Sequence, residues 1–148
     1  MNVKVKIINK AKHNFGNPRY EDQGSSGMDV RASLDEFEVV RPGCRKLIPT
    51  GLFVEIPEGY EIQVRPRSGL AMKKGITVLN TPGTIDASYR GEIGVILQNN
   101  GTEDLIVENG DRIAQLVLCE VPKCIWEIVS ELEKTDRGDG GFGHSGIK

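Results

Sequence analysis

The sequence predicts an all-β fold, a distorted jelly roll or β-barrel with one short helix and a glycine-rich C-terminal arm. Apolar residues recur at every second position in many short stretches, which is the spacing of half-buried strands. Turn-forming triplets such as RPG, PEG, TPG and ENG separate these stretches. Because many short, closely spaced strands are typical of barrels and jelly rolls, the 148 residues predict one domain of that class.

The first half of the chain contains four stretches with the two-residue period. In the N-terminal stretch, Val3, Val5 and Ile7 alternate with lysines. Such alternation predicts a strand with one buried and one solvated face. The predicted strands of this half contain residues 3–7, 37–39, 52–56 and 61–64.

The second half of the chain adds one helix and four strands. Residues Ser68 to Lys74 have room for one or two helical turns in the middle of the chain. Residues 123–133 are ambiguous between strand and helix. The predicted strands of this half contain residues 77–79, 91–98, 105–107 and 112–121.

The composition shift near residue 133 divides the chain into a β domain, residues 1–133, and a flexible arm, residues 134–148. The arm is dense in glycine and has a single aromatic residue, Phe142, so it lacks the apolar side chains that would hold it to a core. A disordered tail is one interpretation. The alternative is an arm that closes over a ligand with a flat ring and negative charge, because Arg137 precedes Phe142 by five residues.

The overall composition disfavours several classes of function. A formal net charge of -2 provides no broad basic surface for nucleic acid or an anionic membrane, and no apolar run approaches the length of a membrane span. We therefore expect an intracellular, cytoplasmic protein with no nucleic-acid or membrane partner. Because aromatics make up only 5% of the chain, the core should be aliphatic and subunit contacts should supply part of the burial.

The three cysteines are Cys44, Cys119 and Cys124, an odd number in no metal-ligand spacing. This pattern disfavours both a disulfide framework and a zinc site. The sequence predicts reduced, buried thiols.

A candidate phosphate site lies at residues 65–71, where the segment RPRSGLA follows a predicted strand. This segment places two guanidinium groups, a hydroxyl and a closely approachable backbone at the start of the predicted helix, from Arg65, Arg67, Ser68 and Gly69. A solvated turn with ordinary surface arginines is an equally good interpretation of the same residues.

The segment from residue 79 to residue 91 has the pattern of a hairpin whose turn carries Asp86 and Tyr89. An aspartate at such a position often only caps the turn. If it faces a bound triphosphate, Asp86 can instead accept a proton from water, and Tyr89 can pack against a sugar.

Two further polar residues stand in apolar surroundings. In the strand predicted at residues 112–121, Ile113, Gln115 and Val117 share one face, so Gln115 needs a hydrogen-bond partner if it is buried. Asp29 begins an apolar strand and can bind a hydrated magnesium ion.

Five segments of the chain, in this order, resemble the five sequence motifs of the trimeric dUTPase family. Together they extend from Ser25 to Gly146, so the resemblance spans nearly the whole chain. The third and the fifth are the most distinctive. The segments are SSGMDVRA, RPRSGLA, LNTPGTIDASYRGE, ENGDRIAQL and RGDGGFGHSG.

The resemblance implies a jelly-roll subunit, a homotrimer, and three active sites that each take residues from all three chains. It implies that dUTP is the substrate, hydrolysed to dUMP and pyrophosphate with the help of Mg²⁺. Such an activity limits the incorporation of uracil into DNA and supplies dUMP for thymidylate synthesis.

The same resemblance assigns roles to individual residues. Asp86 matches the general base that accepts a proton from the water attacking the α-phosphorus, and Asp29 matches an acid that reaches magnesium through water. In the arm, Arg137 matches a residue at the γ-phosphate and Phe142 one that stacks over uracil. The remaining substrate-binding residues are Asn80, Thr84, Ile85, Tyr89 and Gly94 at the base and sugar, Arg67, Ser68, Gly69 and Gln115 at the phosphates, and Gly143 and Ser145 in the closing arm.

Two rival functions share this type of scaffold. A dCTP deaminase has a glutamate where this chain has Asp86, so deamination is disfavoured. A non-catalytic nucleotide sensor or protein-binding module is the other, since a fold does not fix a function. Loss of Asp86 or of the glycine-rich motif would favour the sensor, and both are present.

Overall fold

The computed structural model describes residues 2–143, and within them the chain forms ten β-strands and one α-helix. The all-β class is confirmed. The elements are β1 Lys6–Asn9, β2 Met28–Arg31, β3 Glu38–Val40, β4 Arg45–Glu55, β5 Tyr60–Arg65, α1 Ser68–Lys74, β6 Ile76–Val78, β7 Gly83–Ile85, β8 Glu92–Asn99, β9 Leu105–Val107 and β10 Arg112–Glu120.

The strands form two four-stranded sheets and one two-stranded sheet, and the pairings within them are antiparallel. The first sheet has the order β1-β4-β8-β6, the second has the order β2-β10-β5-β7, and β3 pairs with β9. Strands that are distant in sequence therefore lie side by side in both large sheets. This is the connectivity of a jelly-roll type of fold.

An aliphatic core fills the interior of the molecule, as the low aromatic content predicts. Val30, Ile48 and Ile93 are completely buried, and in β8 every second residue is buried. The buried side chain of Asn99 donates to the backbone oxygens of Val40 and Glu103 at 2.7 and 2.8 Å. Because that amide has partners on both sides, it joins β8 to the small sheet without leaving an unsatisfied polar group.

The helix α1 has the bounds that the sequence predicts, Ser68–Lys74. It ends at Gly75, whose backbone is left-handed with φ 67° and whose N–H bonds to the carbonyl of Ala71. A left-handed glycine after the last turn is a strong stop signal, because any other residue pays a steric cost in that conformation. The helix places Arg67 and Ser68 directly after β5.

The strand β4 is longer than predicted, since it begins at Arg45 rather than near Leu52. Its first half contains charged residues and Pro49, which conceal the two-residue period. An irregularity between Pro49 and Phe53 also shifts its register against β8. A bulge of this kind moves side chains to the opposite face, so local alternation no longer marks the strand.

The hairpin predicted around residues 79–91 is confirmed, because the two apolar runs on either side of that segment, β6 and β8, pair antiparallel in the first sheet. β7 pairs with β5 in the second sheet, whereas β8 pairs with β4 and β6 in the first. The segment between β7 and β8 therefore crosses from one sheet to the other. Local turn chemistry predicts the reversal between β6 and β8, whereas the additional strand β7 and its pairing with β5 are set by long-range packing.

The prediction of buried thiols is wrong. Cys44 and Cys124 are exposed and Cys119 is half-buried, although all three are free, as predicted. The count and spacing of cysteines report on disulfides and metals, and they carry no information on burial. Cys44 closes a turn, in which its N–H donates to the carbonyl of Arg41 at 3.0 Å.

The stretch from residue 122 to residue 143 contains neither helix nor strand, so neither alternative for residues 123–133 is confirmed. We call residues 125–132 the apolar segment, because Ile125, Trp126, Ile128 and Leu132 are each more than four-fifths exposed. Contiguous apolar patches that are exposed on this scale are typical of surfaces that bind another protein chain or a ligand. The domain boundary at residue 133 stays a prediction, and within residues 2–143 no helix is long and apolar enough to cross a bilayer.

The surroundings of His13, in the loop after β1, predict that the stability of the fold depends on pH. His13 is half-buried against Phe15, and burial, followed by the nearby Arg31 guanidinium, lowers the pKa of His13 from its ordinary 6.5. The unfolded chain therefore binds the His13 proton first as the pH falls, so the free energy of unfolding should decrease below pH 6.5 and be constant above it as far as His13 is concerned.

We expect the change to be small, because the ring is only partly buried. Urea unfolding of wild type and His13→Asn at pH 5.5 and pH 7.5 measures it, and the variant should lose less stability between the two values. An equal loss in both proteins would assign the pH dependence to other groups.

Candidate active site

Asp86 lies at the edge of an open cleft, positioned by β7. Pairing of β7 with β5 sets Ile85 opposite Ile62, so Asp86 follows one position beyond the ladder. The cleft has a volume of ≈ 870 Å³, and Tyr60, Glu61 and Asp86 are among its lining residues. The Asp86 side chain is exposed and accepts no hydrogen bond from the part of the chain that the structure describes. Its carboxylate is free to bind and deprotonate a water molecule.

Tyr89 is fixed close to Asp86 by a tight turn. The Tyr89 N–H donates to the carbonyl of Asp86 at 3.0 Å, and the Tyr89 hydroxyl donates to the carbonyl of Glu92 at 2.9 Å. The ring lies directly against Gly91, where a side chain would collide with it. Because the hydroxyl is held at one end, the ring presents a rigid, partly exposed face that a sugar can pack against.

The residues predicted at the base and sugar are divided between two strands. Thr84 and Ile85 belong to β7, and Asn80 lies just before it, with its side-chain nitrogen beside Gly83. Gly94 lies in β8 opposite Pro49, in the other large sheet. One chain therefore brings together Asn80, Thr84 and Ile85. The Leu79 N–H donates to the carbonyl of Ile96 at 2.9 Å, so Asn80 also lies beside the strand that contains Gly94.

A second cluster of predicted residues lies on the sheet of β2, β10 and β5. Asp29 is the register partner of Gln115, which in turn pairs with Arg65, so the three are neighbours across the sheet. The Nε of Arg67 lies 3.0 Å from Oδ1 of Asp29, and an Nη of Arg112 lies 3.3 Å from Oδ2. The half-buried Asp29 carboxylate is thus held between two guanidinium groups.

Gln115 obtains the hydrogen-bond partner that the sequence required. Its Nε2 donates to the carbonyl of Pro66 at 3.0 Å, which ties the centre of β10 to the start of the Arg67–Ser68 segment. The predicted face of Ile113, Gln115 and Val117 is only partly right. Ile113 joins the core, because the register between β10 and β2 shifts next to it.

Gly27 leaves the space that the Gln115 side chain occupies, and this gives a prediction. A Cβ at Gly27 would lie 2.5 Å from Oε1 of Gln115 and 3.3 Å from a methyl carbon of Val117. In Gly27→Ala the flexible Gln115 amide must move and lose its contact with Pro66. We expect kcat/KM for the substrate to fall on the order of tenfold while the thermal unfolding midpoint changes little.

The matched control is Gly24→Ala, in the same loop, where an added Cβ meets only Asp22 at an ordinary contact distance of 3.4 Å. It should keep wild-type activity. If Gly24→Ala and Gly27→Ala lose activity equally, the loop itself is responsible and Gln115 is not.

The two clusters lie at opposite ends of β5. Asp86 is next to Glu61, at the beginning of that strand, and Arg67 is six residues farther along the chain. At about 3.3 Å per residue, the separation along the strand is roughly 20 Å. Neighbouring phosphates of one triphosphate are much closer together than this. A single chain therefore does not bring Asp86 and its own Arg67 to one phosphate chain.

The arm residues are placed apart from both clusters. The Nε of Arg137 donates to the carbonyl of Gly140 at 2.9 Å within a local turn, and Phe142 is fully exposed. Neither residue lines the Asp86 cleft. Gly143 is the last residue that the structure describes, and Ser145 lies outside the described residues.

The predicted magnesium site consists of Asp29 alone. Within residues 2–143, no three His, Cys, Asp or Glu side chains come together to hold a metal ion. Both oxygens of Asp29 already face a guanidinium, but a carboxylate has about four lone-pair sites, so contact with a hydrated ion through water remains compatible with this geometry. The donors fit an ion that is carried mainly by phosphate oxygens.

Sequence reasoning missed one residue of the second cluster. Arg112, to which the sequence assigned no role at the substrate, lies against Asp29, with Glu21 farther away at 3.9 Å. The sequence contains no local signal for this contact, because Asp29 and Arg112 are 83 positions apart.

Comparisons with known proteins agree with the fold and the motifs. The family model described as dUTPase matches residues 13–146. The deoxyuridine 5'-triphosphate nucleotidohydrolase of Syntrophotalea carbinolica is 57% identical over 130 residues, which cover 88% of each chain. The enzyme of the same name from Treponema denticola is 52% identical over 143 residues, covering 97% of this chain and 99% of its own.

Solved structures show the same similarity. The dUTPase of Staphylococcus bacteriophage 80alpha with dUPNHPP has a TM-score of 0.85 and 27% sequence identity, covering 97% of this chain and 99% of that one. The phage phi11 dUTPase, in a mutant form studied for the coordination of a structural Mg(II) ion, has a TM-score of 0.78 at 24% identity and covers 88% of this chain and 99% of its own. The family expected from the five motifs is confirmed, and this chain belongs to the dUTPase family.

Proposed function

We propose that this chain hydrolyses dUTP to dUMP and pyrophosphate. The observation that carries the proposal is the free carboxylate of Asp86, which stands in an open cleft next to the rigid face of Tyr89. A general base has to reach a water molecule without being neutralised by a protein partner. The activity also agrees with the names of the relatives that align with nearly the whole chain.

The reaction is an attack of water on the α-phosphorus. Asp86 orients this water and accepts its proton as the new oxygen–phosphorus bond forms and pyrophosphate leaves. Tyr89 packs on the deoxyribose, and Asn80 with the backbone of Thr84 and Ile85 binds the edge of uracil. A close-fitting backbone excludes cytosine, thymine and ribose, because each would leave a polar group unpaired or cause a clash.

The phosphates are bound by the second cluster. Arg67, Ser68 and Gly69 follow β5 and provide a guanidinium, a hydroxyl and backbone donors, while Gln115 supports the α-phosphate and the water. Asp29 would hold, through water, the hydrated magnesium ion that the triphosphate brings. When bound, that ion supplies charge stabilisation of the phosphoryl oxygens.

We propose further that three copies of the chain assemble into a homotrimer with shared active sites. Asp86 and Arg67 of one chain are too far apart to serve one triphosphate, so each site must combine Asp86 of one subunit with Arg67 of another. The exposed apolar segment supplies surface for the assembly. The arm then delivers Arg137 to the γ-phosphate and Phe142 to uracil, and in the cell the reaction limits uracil incorporation into DNA and supplies dUMP.

The test is pyrophosphate release with magnesium from dUTP, dCTP, dTTP and UTP in parallel, with the nucleotide products separated by chromatography. Release from dUTP alone, giving dUMP, supports the proposal. Formation of dUTP from dCTP would replace it with deamination. Binding of dUTP without turnover would leave a nucleotide sensor on an enzyme's scaffold.

A further inference from the structure

The side chain of Arg112 lies between the candidate phosphate site and β2, although it belongs to no predicted substrate-binding set. One of its Nη atoms lies 3.3 Å from Oδ2 of Asp29, and its carbonyl accepts a hydrogen bond from an Nη of Arg67 at 3.3 Å. Arg67 donates through Nε to the other oxygen of Asp29 at 3.0 Å. Arg112 is therefore linked to Arg67 in two ways: its backbone carbonyl contacts Arg67 directly, and its side chain pairs with the carboxylate that Arg67 also binds.

These contacts leave one side of the Arg67 guanidinium available. Its Nε is engaged by Asp29 and its Nη1 by the carbonyl of Arg112, whereas Nη2 has no partner among residues 2–143. A planar guanidinium held at two nitrogens has one orientation, so its remaining donors point in one direction. Such a group can bind a phosphate oxygen without first losing its own side-chain freedom.

Asp29 can hold the Arg67 guanidinium in one orientation only if its own carboxylate is fixed. It is 23% exposed, and a single ion pair with Arg67 would leave it free to rotate about its terminal bond. The contact of Arg112 with Oδ2 removes that freedom. An exposed ion pair of this kind contributes little to folding stability, so its main effect is on geometry.

We propose that Arg112 is a positioning residue for dUTP binding, acting through Asp29 to hold the Arg67 guanidinium toward the phosphates. The inference rests on the proposed function, in which Arg67 binds the phosphates. It predicts that the Arg112 side chain affects KM for dUTP only when Arg67 is present.

The experiment is a double-mutant cycle with Arg112→Gln, Arg67→Ala and the double variant, with kcat and KM for dUTP measured at fixed magnesium. We expect Arg112→Gln to raise KM on the order of tenfold with a smaller change in kcat, and to have no further effect in the Arg67→Ala background. Arg112→Lys keeps the charge near Asp29 and should restore most of the affinity. Arg41→Gln, an exposed arginine in the turn after β3, is the matched control and should match wild type.

The outcomes separate this inference from the proposed function. If wild type does not hydrolyse dUTP, the proposed function fails. If Arg67→Ala raises KM but Arg112→Gln adds its full effect in that background, the proposed function stands and the positioning role of Arg112 is overturned. An unchanged KM in Arg112→Gln, or a loss in Arg112→Lys equal to that in Arg112→Gln, also overturns it.

Discussion

Replacement of Asp86 by Asn is expected to lower kcat for dUTP on the order of 1,000-fold while leaving the affinity for dUTP within a few-fold of wild type. Asparagine has the size of aspartate and can still hydrogen-bond a water molecule, but it cannot accept the proton. The Asp86 side chain is exposed and makes no hydrogen bond with residues 2–143, so its replacement should not disturb the fold. Steady-state kinetics and calorimetric titration with dUTP measure the two quantities separately.

The matched control is Glu58→Gln, which removes a negative charge from the same cleft at a position without an assigned role. It should keep kcat near the wild-type value. Retained turnover in Asp86→Asn would remove Asp86 from the role of base. An equal loss in Glu58→Gln would show that the charge of the cleft, rather than proton transfer, is responsible.

The sequence predicts those parts of the fold that depend on local chemistry. Helix α1 has the predicted bounds, and the left-handed Gly75 directly after Lys74 ends it. The first half of β4 was missed because Pro49 and the register shift next to it hide the strand period. The reversal between β6 and β8 follows from the turn chemistry between them, but the pairing of β7 with β5 could not be predicted, since that pairing is set by packing between distant segments.

In the candidate site, too, local contacts can be predicted from the sequence and long-range contacts cannot. Residues of one motif stay together in the structure, as Asp86 and Tyr89 do through the turn that joins them. Contacts between motifs are not readable from sequence, and the carboxylate of Asp29 binds two arginines that lie 38 and 83 positions away. The roughly 20 Å between Asp86 and Arg67 also follows only from the register of β7 on β5.

Removal of the chain after Thr135 is expected to reduce kcat/KM for dUTP on the order of 100-fold without changing the oligomeric state. The deletion takes away Arg137, Phe142 and the glycines around them, which we propose to close over the bound nucleotide. It keeps the apolar segment, which we propose to bury between subunits, so assembly should not depend on the missing residues. Steady-state kinetics and light scattering measure the two effects on one preparation.

A second truncation, after Val121, separates closure from assembly. It removes the apolar segment, whose exposed side chains include Ile125, Trp126 and Ile128, and should convert the oligomer to monomers as well as abolish turnover. Phe142→Ala in the full chain isolates the stacking contact, and it should raise KM by about tenfold because one aromatic face contributes about 1–3 kcal/mol to the binding of a base. An unaltered rate after the Thr135 truncation would refute closure by the arm, and a trimer that survives the Val121 truncation would show that its contacts lie on the β-sheets instead.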